Sequence, residues 1–256
     1  AQEKSFLFMS RPRVVIGIPA DVTEVEKRAV EDAAYNAGAR EVFLIEESMA
    51  AAIGARLPIQ EAAANLIVDI GGGATNVAVI SMGGVVASRS LRIAGEKLTA
   101  DIGQFMREEH NILVGDASLE SIKLSVGSAY PLKEELTTQV RGRDLLTGLP
   151  KEITITSEEV RKAMHRSVKS IVSAIKSTIE ETPPELIADL LDRSIFIAGG
   201  GSLLRGLDEL VSFETKLLVK IVDDPLTSVV RGCGLILEHL DAFKSVLVET
   251  AKEAYV

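Results

Sequence analysis

Two glycine triplets are the places in this chain where chemistry could happen. In LIVDIGGGATNVAVI, Asp69 is the lone acid of an apolar run that breaks into Gly71, Gly72 and Gly73. In FIAGGGSLLRGL a second apolar run breaks into Gly199, Gly200 and Gly201, followed by Ser202 and Leu203. A polyphosphate needs backbone N–H groups aimed at it, and glycine lets the chain approach and turn without a Cβ clash. The second triplet is expected to lead from a strand into a helix, whose N-terminus offers free N–H groups and a partial positive charge. The first can wrap a phosphate through its amides, with Asp69 placed to hold Mg²⁺ through water. A third piece, FLIEESMAAAIG, delivers Glu46 and Glu47 to a strand C-terminus, where α/β sheets place their ligands. A carboxylate there can orient a water for attack on a γ-phosphate. Each piece alone also fits a plain role, a tight turn or a helix-start acid favoured by the dipole. Two such loops, both ending buried strands and one carrying an acid, together point to a nucleotide.

The elements that must hold these pieces read as α/β. Val14 to Ile18 is a continuous apolar run, expected as a strand buried on both faces. Thr23 with Glu26 is a capping box opening a helix that Gly38 ends. Val42 to Ile45 is a second strand and Ser48 to Ala55 a small helix. After Leu66 to Ile70, alternation at Val77, Val79, Val85 and Val86 predicts antiparallel hairpins. The first glycines therefore join two strands, unlike the dinucleotide fold and the P-loop, where a helix follows at once. The stretch 94–156 reads as an inserted smaller lobe, with helices over 96–109 and 117–127 and hairpin ends near Gly142 and Gly148. Thr156 with Glu159 opens a long amphipathic helix with Val160, Met164, Val168, Ile171, Ile175 and Ile179 inward. Thr182-Pro183-Pro184 ends it and starts the next. Ser194 to Ala198 is a buried strand, then a helix with Leu203, Leu207, Leu210 and Val211. Leu217 to Val222 is the last strand, and Asp224-Pro225 is expected to open the final helix.

Bulk properties narrow the function. A chain of 256 residues, 46 % hydrophobic and 25 % charged, can bury a core as one large domain or two lobes. A net charge of −9 with scattered Lys and Arg argues against nucleic acid as a partner. The single cysteine, Cys233, is expected as a buried, inert thiol in a reducing compartment. No stretch approaches the ~20 apolar residues of a membrane span. The start, AQEKSFLFMSRPR, lacks the basic region and cleavage site of a signal peptide. His110 and His165 read as surface residues, and Glu134-Glu135 and Glu180-Glu181 as solvated faces.

Along almost its whole length the chain resembles the MreB family of bacterial actin-like cell-shape proteins. The resemblance rests on PRVVIGIP, VFLIEESMAAAIG, VDIGGGATNVAVIS, RGRDLLTGLP, TPPELIADLLDR and IAGGGSLLRGLDEL. It implies an actin-like, ribonuclease H-like ATPase fold: two α/β lobes clamping ATP and Mg²⁺, each with a smaller subdomain. By position it implies residues 1–64 and 224–256 for the first lobe, 65–96 and 157–223 for the core of the second, and 97–156 for its inserted subdomain. It assigns Gly71, Gly72, Gly73, Ala74 and Thr75 to a phosphate loop, with Thr75 counted as catalytic beside Glu47. Asp69 becomes the magnesium-side acid. Glu120, Ser121, Ile122 and Lys123 lie in the segment flanking the adenosine, and Gly199, Gly200, Gly201, Ser202 and Leu203 form the loop beneath the nucleotide. Glu47 becomes the carboxylate that positions the attacking water. Phe6, Leu7, Phe8 and Met9, with Arg11 and Arg13 beside them, match a loop that dips into a membrane.

The implied function is a cytoskeletal protein that self-assembles into filaments at the inner face of the cytoplasmic membrane and organises the cell-wall elongation machinery and peptidoglycan synthesis. The sequence departs from the family in ways that bear on activity. The family's first phosphate-loop strand pair, a Gly-Thr-Ala-Asn hairpin, and one small subdomain have no counterpart here. Ala74 and Asn76 stand in a Gly-Gly-Gly-Ala-Thr-Asn run where the family reads Gly-Gly-Gly-Thr-Thr-Glu, and Ser48 replaces a proline. A one-sided clamp should bind weakly and hydrolyse little, so a diverged copy that keeps the fold is the alternative. A sugar kinase or chaperone ATPase of the same superfold fits less well, because no substrate-binding insertion is visible.

Overall fold

The structure, a computed structural model, describes residues 11–248. Strands β1 (Arg13–Ile18) and β2 (Glu41–Glu46) pair in parallel, and helix α1 (Glu24–Asn36) connects them. The capping box forms: Glu26 N–H donates to the Thr23 hydroxyl, and the Glu26 carboxylate accepts from Thr23 N–H. Contrary to expectation β1 is only half-buried, because among the described residues it has a strand on one side alone. Helix α2 (Glu47–Gly54) leaves β2 without a loop.

Next come β3 (Asn65–Ile70), β4 (Thr75–Ser81) and β5 (Gly84–Leu91), an antiparallel meander. The stretch expected as an inserted lobe contains α3 (Gly95–His110), β6 (Ile112–Leu113), α4 (Asp116–Val126), β7 (Thr137–Asp144) and β8 (Pro150–Thr156), whose strands form a separate antiparallel sheet. The long helix α5 (Ser157–Glu181) buries Val160, Met164, Val168, Ile171 and Ile175, as its spacing predicts. Then follow α6 (Pro184–Asp192), β9 (Ile195–Ala198), α7 (Leu207–Thr215), β10 (Val219–Ile221) and α8 (Ser228–Glu238).

The main sheet has the order β10-β9-β3-β4-β5, with β3, β9 and β10 parallel. Every residue of β3 and β4 is buried, because both sheet faces are covered. Leu66, Val68, Ile70, Val77 and Val79 face the cluster that includes α3 and α5; Ile67, Ala78 and Ile80 face α2 and α8. The helices α2 and α8 touch backbone to backbone. A Cβ on Gly54 would lie 1.8 Å from the Ser228 carbonyl oxygen, and one on Gly232 would lie 1.9 Å from that of Ala50. The chain that opens with Glu47 is thereby fixed against both the sheet and α8.

Several boundaries differ from expectation. The second glycine loop makes a 3-10 turn, Gly200–Leu203, and α7 starts only at Leu207. Pro225–Thr227 is likewise a 3-10 turn ahead of α8, with Asp224 at φ 47. Cys233 is half-buried, and burial pushes its thiol up. His110 is not a free surface residue: its Nε2 lies 3.1 Å from Glu159 Oε1 and its ring meets Phe105 edge-on. Glu135 and Glu181 are exposed, as expected of solvated faces, and pair there with Arg161 and Arg89. Among the described residues no helix is long and apolar enough to cross a membrane. Phe6, Leu7, Phe8 and Met9 lie outside the described residues.

Candidate functional site

The site grows from one rung of the main sheet. Register places Asp69 opposite Asn76 and Asn76 opposite Ser90, so three polar side chains stand in a row across β3, β4 and β5. They lie on the face that Ile67 and Ala78 share one step earlier, the face covered by α2. The row occurs where β3 runs out into Gly71, the strand end at which an α/β sheet leaves room for a ligand. Glu47 sits in the first turn of α2 above it, and Asn76 Nδ2 donates to Glu47 Oε2 at 2.8 Å. Ser90 Oγ donates to Asn76 Oδ1 at 2.9 Å. Burial, and secondarily the charge of Glu47, push the Asp69 carboxyl up to about 7. Two neighbouring acids, one of them deeply desolvated, form a donor pair short of positive charge.

Both glycine loops open onto the same space. A cavity of about 900 Å³ is lined by Asp69, Gly71 and Gly72 from the first and by Gly199, Gly200, Gly201 and Leu203 from the second. That volume suits a nucleotide-sized ligand. The loops meet at Asp69, whose Oδ1 is 2.8 Å from where a Cβ of Gly199 would stand. Among the described residues, the amides of Gly72, Gly200 and Gly201 have no protein acceptor. They are free to take an anion.

The far wall comes from α3 and α4. Gly95 N–H donates to Gly71 O at 3.1 Å and Glu96 N–H to Gly72 O at 2.9 Å, which pins the helix start to the first loop. Lys123 Nζ donates to Gly95 O (2.8 Å) and Thr99 Oγ1 (2.9 Å) and pairs with Glu120 Oε2 (2.8 Å). Burial pushes the Glu120 carboxyl up, but hydrogen bonds from Lys123 and Thr99 and the Lys123 charge outweigh it and hold the group below its usual range. Arg205, the other cation on the wall, donates to the carbonyls of Leu124 and Gly127. Leu124, Leu203 and Leu226 are more than half exposed at this cavity and give it an apolar lip.

The structure brings together most of the residues singled out in the sequence. Asp69, Gly71, Gly72, Glu120, Lys123, Gly199, Gly200, Gly201 and Leu203 all line the cavity. Others stand apart. Gly73 and Ala74 belong to the same turn but do not line it. Thr75 is fully buried, with its hydroxyl donating to Ile93 O at 2.7 Å. Ser121 lines a separate groove between α4 and β7, and Ile122 is core. Ser202 is buried and donates to Gly199 O. Glu47 stands beside the cavity, held by Asn76. Gly95, Glu96, Arg205, Pro225 and Leu226 also line the cavity, and no local pattern marked them. Leu226 gets there because Gly199 N–H donates to Pro225 O, seating that turn beside the second loop.

A model of the MreB/Mbl protein family matches residues 1–245. The chain belongs to this family. It is 48 % identical over 230 residues to the cell shape-determining protein MreB of Escherichia coli, covering 90 % of this chain and 66 % of that protein. It is 43 % identical over 232 residues to the cell shape-determining protein Mbl of Bacillus subtilis, covering 91 % and 70 %. The chain thus spans about two thirds of the length of these relatives. Among solved structures, MreB5 of Spiroplasma citri bound to ADP superposes with a TM-score of 0.86 at 37 % identity, over 89 % of this chain and 69 % of that one. A MamK double helical filament superposes with a TM-score of 0.75 at 23 % identity, over 89 % and 69 %, which bears on the fold alone. The fold of this member of the family is actin-like.

Proposed function

We propose that this chain carries the nucleotide site of an actin-like cell-shape protein, binding ATP and assembling head to tail into filaments. One observation carries the reading. Two glycine loops far apart in sequence converge, with free amides, on a single cavity that has an acid where they meet. In this reading Gly72, Gly200 and Gly201 take the phosphates, the Leu124, Leu203 and Leu226 lip takes the base, and Glu120 with Lys123 fixes the sugar side. Asp69 would hold Mg²⁺, which supplies charge to balance the phosphate oxygens. Among the described residues no cluster of three or more metal-ligating side chains exists, so water and phosphate would have to supply the remaining ligands. Glu47 then holds a water in line with the terminal phosphate. Heterologous contacts that do not close generate filaments. The wider role, filaments peripheral to the inner face of the cytoplasmic membrane that guide the peptidoglycan-synthesising machinery, rests on the family and on Phe6, Leu7, Phe8 and Met9.

A second reading, a diverged copy with weak turnover, is favoured by the state of the cations. Among the described residues Lys123 and Arg205 are the two cations that line the cavity, and both are committed to protein acceptors, which leaves the triphosphate to backbone amides and metal. Sedimentation with and without ATP, run beside phosphate release, tests both. ATP-dependent pelleting with release supports the first reading, and pelleting indifferent to ATP supports the second. Failure to bind ATP at millimolar concentration removes both.

A further inference from the structure

We propose that Asn76 is a positioning residue that sets which oxygen of Glu47 meets the water, and that Ser90 anchors the far end of the Asn76 amide. This rests on the reading of Glu47 given above. The amide is held at both ends. Its Oδ1 accepts from the Ser90 hydroxyl at 2.9 Å and its Nδ2 donates to Glu47 Oε2 at 2.8 Å. Turning the amide over would point its oxygen at a carboxylate that only accepts, so Glu47 selects the donating orientation, and the Ser90 hydroxyl holds the other end of the amide in place. Asn76 is 2 % exposed, and its strand neighbours on both sides lock the backbone beneath it. Oε2 of Glu47 is therefore occupied, while among the described residues Oε1 accepts no hydrogen bond from the protein. The carboxylate thus has one oxygen tied to Asn76 and one free of protein donors. Positioning of this kind governs rate far more than affinity, and an error of an ångström can cost on the order of 100-fold.

The test measures ATP affinity by titration and phosphate release in single turnover, both with Mg²⁺. The set is the unaltered chain, Glu47→Gln, Asn76→Ala, Asn76→Asp, Ser90→Ala and Ser90→Thr. Asn76→Asp keeps the shape and removes the donor, and Ser90 is half-exposed, so at least one variant should remain folded. Release should fall about tenfold or more in both Asn76 variants, with affinity in Asn76→Ala within about twofold. Ser90→Ala should fall less, and Ser90→Thr, which keeps the hydroxyl, should restore it. Unaltered release in folded Asn76→Ala or Ser90→Ala overturns the proposal while Glu47 keeps its role. If the unaltered chain binds ATP but releases phosphate no faster than Glu47→Gln, the role of Glu47 falls and takes this proposal with it. If ATP does not bind, the nucleotide reading itself is wrong.

Discussion

At the β3–β4 turn a Cβ on Gly71 or Gly72 would meet nothing closer than 3.4 Å, and on Gly73 nothing within 4 Å. At the β9 turn one on Gly199 would sit 2.3 Å from the Ile70 carbonyl oxygen, and one on Gly201 2.2 Å from Ile70 Cγ2. Gly199 also holds φ +78, the left-handed region that disfavours a side chain. The same residue type thus answers two demands. The second loop needs glycine so that the protein can close on itself around Ile70. The first has no internal need of it. The bare backbone of Gly71 and Gly72 instead borders the open space of the cavity.

The largest expected effect separates the loops by stability. Gly201→Ala and Gly199→Ala should each cost about 2–4 kcal/mol, because backbone and a buried side chain must move. Urea titration checks this, and a loss below about 1 kcal/mol would mean that the second loop is as accommodating as the first. The next effect concerns the carboxyl where the loops meet. Asp69 has a folded value near 7 against 3.8 unfolded, so the native state holds the extra proton between them. Stability contributed by this group is therefore present below about pH 4 and lost as pH rises toward 7. Asp69→Asn should be more stable than the unaltered chain at pH 7.5, by on the order of 1–3 kcal/mol, with the gap closing by pH 4. Parallel stability curves for the two across that range would contradict the assignment. A smaller free energy is expected at the first loop. Gly72→Ala should leave stability within about 1 kcal/mol yet weaken ATP binding about tenfold, through loss of close approach to one phosphate. Equal affinity would break the contrast between the loops. The smallest effect belongs to Gly73→Ala, which should change stability and affinity by less than about 0.5 kcal/mol, since that glycine neither lines the cavity nor touches a neighbour.

Much of this was legible in the chain beforehand. Thr23 with Glu26 and Thr156 with Glu159 announced two helix starts that form as read, because a capping box involves only residues three apart. The meander at Gly71 to Gly73 was legible from alternation, which reports directly on a half-turn per residue. Other expectations failed where a distant neighbour decides. Val14 to Ile18 looked doubly buried, but burial depends on how many strands flank β1. Thr75, counted as catalytic from the resemblance, is buried with its hydroxyl tied to Ile93, because it points to the other face of β4 from Asn76. Pro225 and Leu226 went unnoticed as cavity residues, since what seats them is one backbone hydrogen bond from Gly199.

By itself the sequence determined the local conformations: caps, turns, the two bare-backbone loops and the class of elements between them. Those features act over a few residues, through sterics and short hydrogen bonds, and need no knowledge of the rest. Only the tertiary structure decided that Asp69, Asn76 and Ser90 share one rung beneath Glu47, and that Gly72 and Gly200 face one cavity. Strand register and the contact of α2 with α8 bring those groups together, and both depend on packing between residues far apart in the chain.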